Sequence, residues 1–153
     1  MAIALTLRKY LAENGVAYDV LPHHHTTSSM ESAQSAHIAG ENLAKSVILE
    51  DDDGYMMAVV PATEHVKIRK VNHAVNRRMG LATESELGFL FSDCELGAIP
   101  PMGKAYSMDS IIDEKLENCS DIYLEAGDHE GLVHIDGRSF RRLTKNAQHA
   151  KIC

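Results

Sequence analysis

The order of apolar and polar residues along the chain predicts two β-hairpins. Residues 44–49 (AKSVIL) and 55–60 (YMMAVV) are rich in apolar and β-branched residues, and the turn sequence DDDG at 51–54 separates them. A second pair of apolar stretches, 122–126 and 132–135, flanks the polar and glycine-containing turn GDHEG. Apolar runs on both sides of such turns are typical of antiparallel hairpins. We therefore expect each pair to be hydrogen-bonded as adjacent strands.

Helical spacing of apolar residues, with signals at the ends, marks other elements. Leu7 and Leu11 lie on one face of a helix predicted over residues 4–14, which Gly15 ends. The Thr-x-x-Glu sequence at 83–86 has the form of a capping box and predicts a short helix towards Leu90. The other predicted elements are a strand over 16–21, an Ala-rich helix over 30–40 closed by Gly40, a basic helix over 66–79 ending at Gly80, and a last helical turn over 139–143 before a polar tail.

These elements predict one mixed α/β domain that spans residues 1–153. The length of 153 residues suits one ordinary domain, which buries roughly 68–70% of its unfolded surface. No internal repeat, low-complexity run or linker interrupts the pattern. Because the strands come in hairpins rather than in repeated βαβ units, we expect a curved and mostly antiparallel sheet.

Charge and cysteine content exclude several classes of protein. The formal net charge is −7, whereas proteins that wrap a nucleic-acid backbone are usually basic. A DNA partner is therefore not expected, although a small contact with one end of a nucleic acid stays open. The chain shows neither a signal peptide nor a stretch near the ~18 apolar residues of a membrane span. Its three cysteines are widely spaced without a CxxC motif, which favours the cytoplasm.

Lys45 is the one charged residue in an otherwise apolar strand, LAKSVIL. It could be an edge-strand lysine that deters aggregation, or a lysine that extends out of the sheet into solvent. Alternatively, it points into a pocket and holds a phosphate or carboxylate, with Ser46 facing the other way. The strand pattern alone leaves both interpretations open.

The run His23-His24-His25 raises the hypothesis of a metal site. Consecutive side chains of an extended segment point to opposite sides, so the three rings do not easily converge on one ion. No HExxH or similar motif supplies other ligands. A solvated loop is the favoured interpretation, no metal or other cofactor is expected, and a small metallohydrolase is kept as an alternative.

The sequence gives no local motif for a protein nucleophile. It contains no GxSxG, and Cys94 has no motif around it. Basic residues gather in two groups that could be solvated helix faces or a docking patch for one end of a nucleic acid. These are Lys67, Arg69, Lys70, Arg77 and Arg78, followed by Arg138, Arg141, Arg142 and Lys145.

The segment 93–106, DCELGAIPPMGKAY, predicts a stiff loop. Gly97 and Gly103 adopt positive φ at little cost, whereas Pro100 and Pro101 fix φ and remove two backbone donors. The loop could be a rigid connector. It could also hold the unpaired amides of Ala98 and Ile99 towards a carboxylate, a phosphate or a developing oxyanion.

Four stretches in order resemble the YbaK/ProX-type aminoacyl-tRNA deacylases, relatives of the editing domain inserted in bacterial prolyl-tRNA synthetases. They are TTSSMESAQSAHI (26–38), LAKSVIL (43–49) with its following hairpin, ELGAIPPMG (95–103) and LEAGDHEGLVHI (124–135). The resemblance covers residues 16–144. It implies a compact α/β fold with a barrel-like sheet and surrounding helices. It also implies hydrolysis of the ester that joins a wrong amino acid to the 3′ adenosine of a tRNA.

The resemblance also implies the roles of individual residues and partners. The lysine of the family falls on Lys45, its GxxxP loop on residues 97–101, and a histidine that some members use on His129. No cofactor is implied. The partner is the acceptor end of a mischarged tRNA, and an aminoacyl-tRNA synthetase is left open as a second one. The implied catalytic residues are Lys45, Gly97, Ala98 and Ile99, and the implied substrate contacts are Thr26, Ser46, Pro100, Pro101, Gly103, Asp128 and His129.

Two departures from the family concern the pocket. Position 46 is Ser where some members have Asn or Thr, and the loop reads Ala-Ile-Pro-Pro rather than the Ser-Pro or Phe-Gly versions of some relatives. The amino acid removed is therefore not set by the resemblance. A non-catalytic module that binds tRNA ends or aminoacyl ligands in the same pocket is the alternative function.

Overall fold

The computed structural model describes residues 3–153, which form one mixed sheet with helices around it. The α-helices are α1 (Leu5–Glu13), α2 (Ser29–Ser35), α3 (Ile68–Val75), α4 (Glu84–Leu90) and α5 (Gly137–Leu143). The strands are β1 (Asp19–Pro22), β2 (Leu43–Asp51), β3 (Gly54–Pro61), β4 (Gly80–Leu81), β5 (Asp109–Asp113), β6 (Asp121–Glu125), β7 (Gly131–Asp136) and β8 (Gln148–Ala150). Short 3-10 turns lie at Gly40–Asn42, Gly103–Tyr106 and Glu114–Leu116. None of the helices in this part of the chain is long and apolar enough to cross a bilayer.

Both predicted hairpins are confirmed. β2 and β3 pair antiparallel from Ala44 opposite Pro61 to Asp51 opposite Gly54. β6 and β7 pair antiparallel as well. In the first turn the Asp51 carboxylate accepts the amide of Asp53 at 2.9 Å, and Gly54 has a φ of +134°. The Asp-Gly chemistry of the turn therefore sets the register of the two central strands.

The sheet is open, and its strand order is β1-β7-β6-β2-β3-β5-β8, with β4 pairing separately to β2. Four pairings within residues 3–153 are antiparallel, and three are parallel: β2 with β6, β3 with β5, and β5 with β8. The expected mixed α/β class is confirmed. The sheet does not close into a barrel, and β1 and β8 form its two ends.

The two central strands are covered on both faces. Along β3, Met57 and Val59 belong to one apolar cluster, and Ala58 and Val60 belong to a second cluster on the other face. This alternation follows from the two-residue period of a strand. The first cluster includes Leu7 and Leu11 of α1 with Phe140 of α5, and the second includes Val71 of α3 with Ile152.

Helix α1 ends as its sequence predicts. Gly15 has a φ of +63°, and its amide bonds to the Ala12 carbonyl at 3.1 Å. The amide of Val16 bonds to the Leu11 carbonyl at 3.0 Å. These two bonds form a Schellman motif, in which a left-handed residue satisfies the last carbonyls of a helix. The strand expected from residue 16 therefore begins only at Asp19.

Helices α2 and α3 are shorter than expected. α2 ends at Ser35, and Gly40 starts a separate 3-10 turn. α3 ends before Asn76, which is left-handed with a φ of +54°. The Asn72 side chain then bonds both the amide and the carbonyl of Met79, so the chain turns back and Gly80 enters β4. A side chain that bonds to the backbone thus ends the helix early. The capping box at Thr83 and Glu86 is confirmed.

Strands β5 and β8 were not predicted. No element was predicted over the residues of β5 (DSIID), and β8 (QHA) lies in the expected polar tail. Both are held by parallel pairing to segments far away in sequence. Ile111 and Ile112 of β5 fill opposite faces of the sheet, so tertiary packing rather than local pattern makes this segment a strand.

Candidate functional site

A cavity of about 580 Å³ opens beside the middle of β2. Residues 43–44 and 48–49 of the strand are buried, whereas residues 45–47 between them are only partly covered. We call this space the Lys45 cavity. Its lining residues come from the start of α2, from β2, from the segment after β3 and from the loop before Pro100: Thr27, Ser28, Ser29, Met30, Lys45, Ser46, Val47, Ala62, Thr63, His65 and Gly97.

Lys45 is half-buried in the wall of this cavity. β2 pairs with β3 along its length, but its pairing with β6 covers only Leu43 and Ala44 and its pairing with β4 starts at Leu49, so Lys45 lies at a locally open edge of the strand. The Nζ atom lies 3.4 Å from the Ala62 carbonyl oxygen, and within residues 3–153 no carboxylate lies within 4 Å of it. Burial lowers the pKa of Lys45, and the charge of Glu64 partly opposes this effect. The result is an ammonium group with spare donors, which suits an anionic ligand.

The Gly97 turn brings the 93–106 loop to the cavity. Gly97 is exposed with a φ of +81°, which confirms its predicted left-handed conformation, whereas Ala98, Ile99 and Pro100 are buried. Ser46 borders the cavity next to Lys45, but its side chain lies on the other face of β2, that of Ala44 and Ile48, as predicted. Its hydroxyl donates to the Ile99 carbonyl at 3.0 Å. This bond fixes the loop against β2.

The prediction of two free amides in this loop is wrong for Ala98. Its N–H donates to the Glu95 carbonyl at 3.1 Å and so closes a turn around Leu96 and Gly97. In the described part of the chain, the amides of Gly97 and Ile99 bond to no acceptor. Because a turn pairs its first carbonyl with a later amide, the residue that closes the turn loses its donor. The pair of available donors is therefore Gly97 and Ile99.

A smaller apolar cavity of about 200 Å³ adjoins the first and shares Ser46, Val47 and Gly97 with it. We call it the Ile99 cavity. Its other lining residues are Ile48, Leu81, Ala82, Leu87 and Ile99. The Gly97 turn and Ser46 thus lie between the two cavities.

Pro101 and Gly103 lie away from the Lys45 cavity. Both line a separate space of about 360 Å³ together with Lys104 and Arg142. Gly103 does not have the positive φ expected of it. It must be glycine because a Cβ there would overlap the Ser110 hydroxyl and lie 2.7 Å from the Met108 carbonyl. The structure does not bring these two predicted contacts to Lys45.

The predicted contacts Thr26, Asp128 and His129 lie behind the cavity wall. The Thr26 hydroxyl is 2.7 Å from that of Ser32, and its amide donates to the His129 carbonyl at 3.2 Å. Asp128 accepts the amide of Glu130 at 2.9 Å within the β6–β7 turn. None of the three lines the Lys45 cavity, so they support its walls.

His129 is 2% exposed and bridges the hairpin to the loop. Its Nε2 lies 2.8 Å from the Leu96 carbonyl oxygen, and its Nδ1 lies 3.2 Å from a carboxylate oxygen of Glu125. The adjacent Glu125 carboxylate raises the pKa of His129 above its usual value, although burial opposes the shift. The ring also packs edge-on to His25 at 6.0 Å.

The three consecutive histidines have separate partners. His23 Nδ1 is 2.6 Å from the His24 carbonyl, the His24 amide donates to the Ser35 hydroxyl, and His25 Nε2 is 2.9 Å from Glu95. Within residues 3–153 no group of three or more His, Cys, Asp or Glu side chains is arranged to hold a metal ion. The run joins the loop before α2 to the 93–106 loop.

Several residues that line the Lys45 cavity were not among the site residues predicted from the sequence. Thr27, Ser28 and Ser29 follow in the TTSS stretch and line the cavity, whereas the predicted contact Thr26 is buried and does not. Thr63 and His65 follow β3 and lie in no recognisable motif. The signal for the first group was the hydroxyl-rich run just before a helix. No local signal marks the second group.

Residues 23–143 match the aminoacyl-tRNA editing domain family. Among solved structures, a proposed trans-editing enzyme for prolyl tRNA synthetase is similar over 97% of this chain and 95% of its own, with a TM-score of 0.82 and 22% identity. The hypothetical protein APE2540 is similar over 96% and 98%, with a TM-score of 0.83 and 19% identity. A scaffold used in epitope backbone grafting by computational design is similar over 97% and 95%, with a TM-score of 0.80 and 18% identity. No curated protein sequence matches the chain.

The chain belongs to the aminoacyl-tRNA editing domain family, because the match covers most of its length. The similar structures show that it has the same fold. A role in tRNA editing follows from the family.

Proposed function

We propose that the protein is a trans-editing hydrolase, which cleaves the ester between a wrong amino acid and the 3′ adenosine of a tRNA. One observation carries the proposal. Among residues 3–153, the Lys45 ammonium has no carboxylate partner and the Gly97 amide has no acceptor, and both residues line the same cavity. A phosphate and an ester carbonyl are the two groups of an aminoacyl-tRNA end that such walls would bind.

Lys45 holds the 3′-terminal phosphate in this proposal. A compact ammonium on a flexible stem binds a phosphate as a point charge. The bound phosphate would also offset the desolvation that lowers the pKa of Lys45. The Thr63 hydroxyl in the same cavity has no hydrogen-bond partner among the described residues and is available to the ribose, whereas the hydroxyls of Thr27 and Ser28 are bonded to Glu31.

The amides of Gly97 and Ile99 act on the ester itself. They donate to the carbonyl oxygen as it becomes an oxyanion, which is the main electrostatic contribution in acyl transfer. The oxygen of a water molecule forms the new bond to the carbonyl carbon. The bond from that carbon to the ribose oxygen breaks, and the ribose oxygen takes up the proton that the water loses. The products are the free amino acid and a tRNA with a free 3′ hydroxyl.

No protein nucleophile is needed for this reaction. The Ser46 hydroxyl donates to the Ile99 carbonyl, so no base activates it. Burial raises the pKa of Cys94 to about 12, which keeps it a thiol and a poor nucleophile. An activated ester hydrolyses readily, so positioning and oxyanion stabilisation supply the rate.

A panel of mischarged tRNAs tests the proposed function. The purified protein is expected to release the amino acid from at least one of them, at a rate that prolonged treatment with EDTA leaves unchanged. Amides and an ammonium carry the proposed chemistry, so chelation removes nothing it uses. Loss of activity on chelation and its return with zinc would support the metallohydrolase alternative. Binding without hydrolysis across the panel would support the binding module.

Binding of the tRNA acceptor end is expected to be weak and sensitive to salt. The Nε of Arg77 donates to the Asp51 carboxylate at 2.7 Å, and the Nζ of Lys70 donates to the Cys153 carbonyl at 3.0 Å, so both side chains already have partners. Lys67 is exposed just after the cavity residue His65. Replacing Lys67 by alanine is expected to lower the slope of log affinity against log salt by roughly 1, as loss of one phosphate contact does.

The matched control for this experiment is Lys9→Ala, an exposed lysine on α1. It is expected to leave the slope unchanged. Affinity of the wild-type protein that does not depend on salt would contradict phosphate binding, and equal slopes for Lys67→Ala and the wild type would remove Lys67 from the interface.

A further inference from the structure

We propose that Glu125 is a positioning residue for the candidate site: acting through His129, its buried carboxylate fixes the Leu96 carbonyl and with it the Gly97 turn. This inference rests on the proposed function and deepens it. Glu125 touches neither cavity wall, so its effect on the reaction is exerted through the loop.

The burial of this pair is the first argument. Glu125 is 1% exposed and His129 is 2% exposed. Within the described residues, both carboxylate oxygens of Glu125 and the Nδ1 of His129 are buried without a hydrogen-bond partner of good geometry, and their 3.2 Å approach to each other is an ion-pair contact. A buried carboxylate with so few partners destabilises a fold. A contribution to stability therefore does not explain why a carboxylate is buried at position 125, and we look to its neighbour His129 for a second role.

The geometry of His129 gives that role. A carbonyl oxygen only accepts, so the Nε2 atom at 2.8 Å from the Leu96 oxygen carries a proton. The carboxylate beside Nδ1 favours a proton there too, and the adjacent Glu125 raises the pKa of His129. Charged groups also face the ring from the loop side, since His25 packs on it and Glu95 is bonded to His25. The ring thus lies between the carboxylate and the loop carbonyl and contacts both.

The ring is in contact with the Gly97 turn. A Cβ placed on Gly97 would lie 3.1 Å from His129 Nε2, so the imidazole packs directly against this backbone. The backbone of His129 also accepts the amide of Thr26, next to the cavity residue Thr27. His129 itself is left-handed, with a φ of +58°, a conformation that β-carbon sterics disfavour. One strained residue thus connects two walls of the Lys45 cavity.

The test compares Glu125→Gln with Glu117→Gln. Glu117 forms the same arrangement elsewhere, because its carboxylate lies 3.0 Å from His149 Nδ1 while His149 Nε2 lies 2.9 Å from the Thr144 carbonyl. Neither residue lines the Lys45 cavity. Glu125→Gln is expected to lower kcat about 10–100-fold with a far smaller change in KM, since misplacement by 1 Å can cost ~10²-fold. Glu117→Gln is expected to leave both constants unchanged.

A second measurement does not depend on activity. The amide resonances of Gly97 and Ile99, followed by 1H–15N NMR, are expected to shift in Glu125→Gln and to stay in place in Glu117→Gln. Unchanged amide resonances in folded Glu125→Gln would overturn the positioning role even if no tRNA of the panel were hydrolysed. An inactive wild-type protein with shifted resonances would instead mean that the proposed function fails and the positioning contact stands.

A double variant separates a positioning role from general destabilisation. If His129 carries the effect of Glu125, then kcat of Glu125→Gln/His129→Gln is expected to equal that of the lower single variant, because residues that act as one unit are not additive. If Glu125→Gln does not fold, Glu125→Asp keeps the charge but shortens its reach, and the same loss of kcat and the same shifts are expected. Wild-type kcat in either folded variant would overturn the proposal.

Discussion

Lys45→Ala is expected to remove most deacylation and to leave the fold intact. The side chain lies in a cavity wall, and within residues 3–153 its one hydrogen bond is a 3.4 Å contact to the Ala62 carbonyl. A hydrogen bond to a charged group contributes about 1.5–3 kcal/mol, so kcat/KM should fall about 10–100-fold. Stability should change little, because burial disfavours the charged form of this lysine in the free protein.

Two variants complete that experiment. Lys45→Arg is expected to be impaired as well, because a planar fork does not replace a compact ammonium in a site shaped for one. Lys104→Ala removes a lysine that pairs with Asp109 at 3.2 Å on another surface, and it should keep the wild-type rate. The measurement is single-turnover deacylation beside a thermal melt. Wild-type turnover of folded Lys45→Ala would exclude Lys45 from the mechanism.

The parts of the fold that the sequence predicted are those fixed by contacts between neighbours in the chain. The hairpin of β2 and β3 follows from the turn at 51–54, and the end of α1 follows from the left-handed Gly15. The capping box at Thr83 is local as well. Each of these signals lies within a few residues of the structure it specifies, so a single sequence is enough to read it.

The parts that the sequence did not predict depend on distant partners. β5 and β8 are strands because they pair in parallel with β3 and with each other. Parallel strands need long connections, so neither a tight turn nor an alternation of apolar and polar residues predicts their pairing. α3 stops early because Asn72 bonds to Met79, which is a side-chain contact and not a propensity of the helix.

The candidate site shows the same division. The left-handed Gly97 could be predicted from its place in a Gly-Pro loop, whereas the bond that removes the Ala98 amide depends on how the turn closes on Glu95. Sequence placed His129 in the site, but its ring faces the Leu96 carbonyl from behind the cavity wall. Which side of a wall a residue occupies is set by packing, and packing is not visible in a motif.

Gly97→Val is expected to lower turnover more than it lowers stability. A φ of +81° is unfavourable for any residue with a Cβ, at about 1–2 kcal/mol. The added atom would lie 3.1 Å from His129 Nε2, which is tighter than an ordinary contact, so the turn has to move relative to the imidazole. The amides of Gly97 and Ile99 then leave the position of the ester carbonyl oxygen. Loss of one oxyanion donor lowers kcat about 10²–10³-fold in other enzymes.

The control for backbone strain is Gly15→Val. Gly15 has a φ of +63°, nothing lies within 4 Å of a Cβ placed on it, and it ends α1 away from the cavity. It should therefore lose stability to a similar extent while keeping its rate of deacylation. Gly97 is exposed at the cavity, so the branched side chain would also occupy space that the aminoacyl group needs. A thermal melt and single-turnover deacylation of the two variants separate strain from catalysis. An undiminished rate in folded Gly97→Val would show that the loop is a rigid connector and that the reaction takes place elsewhere on the protein.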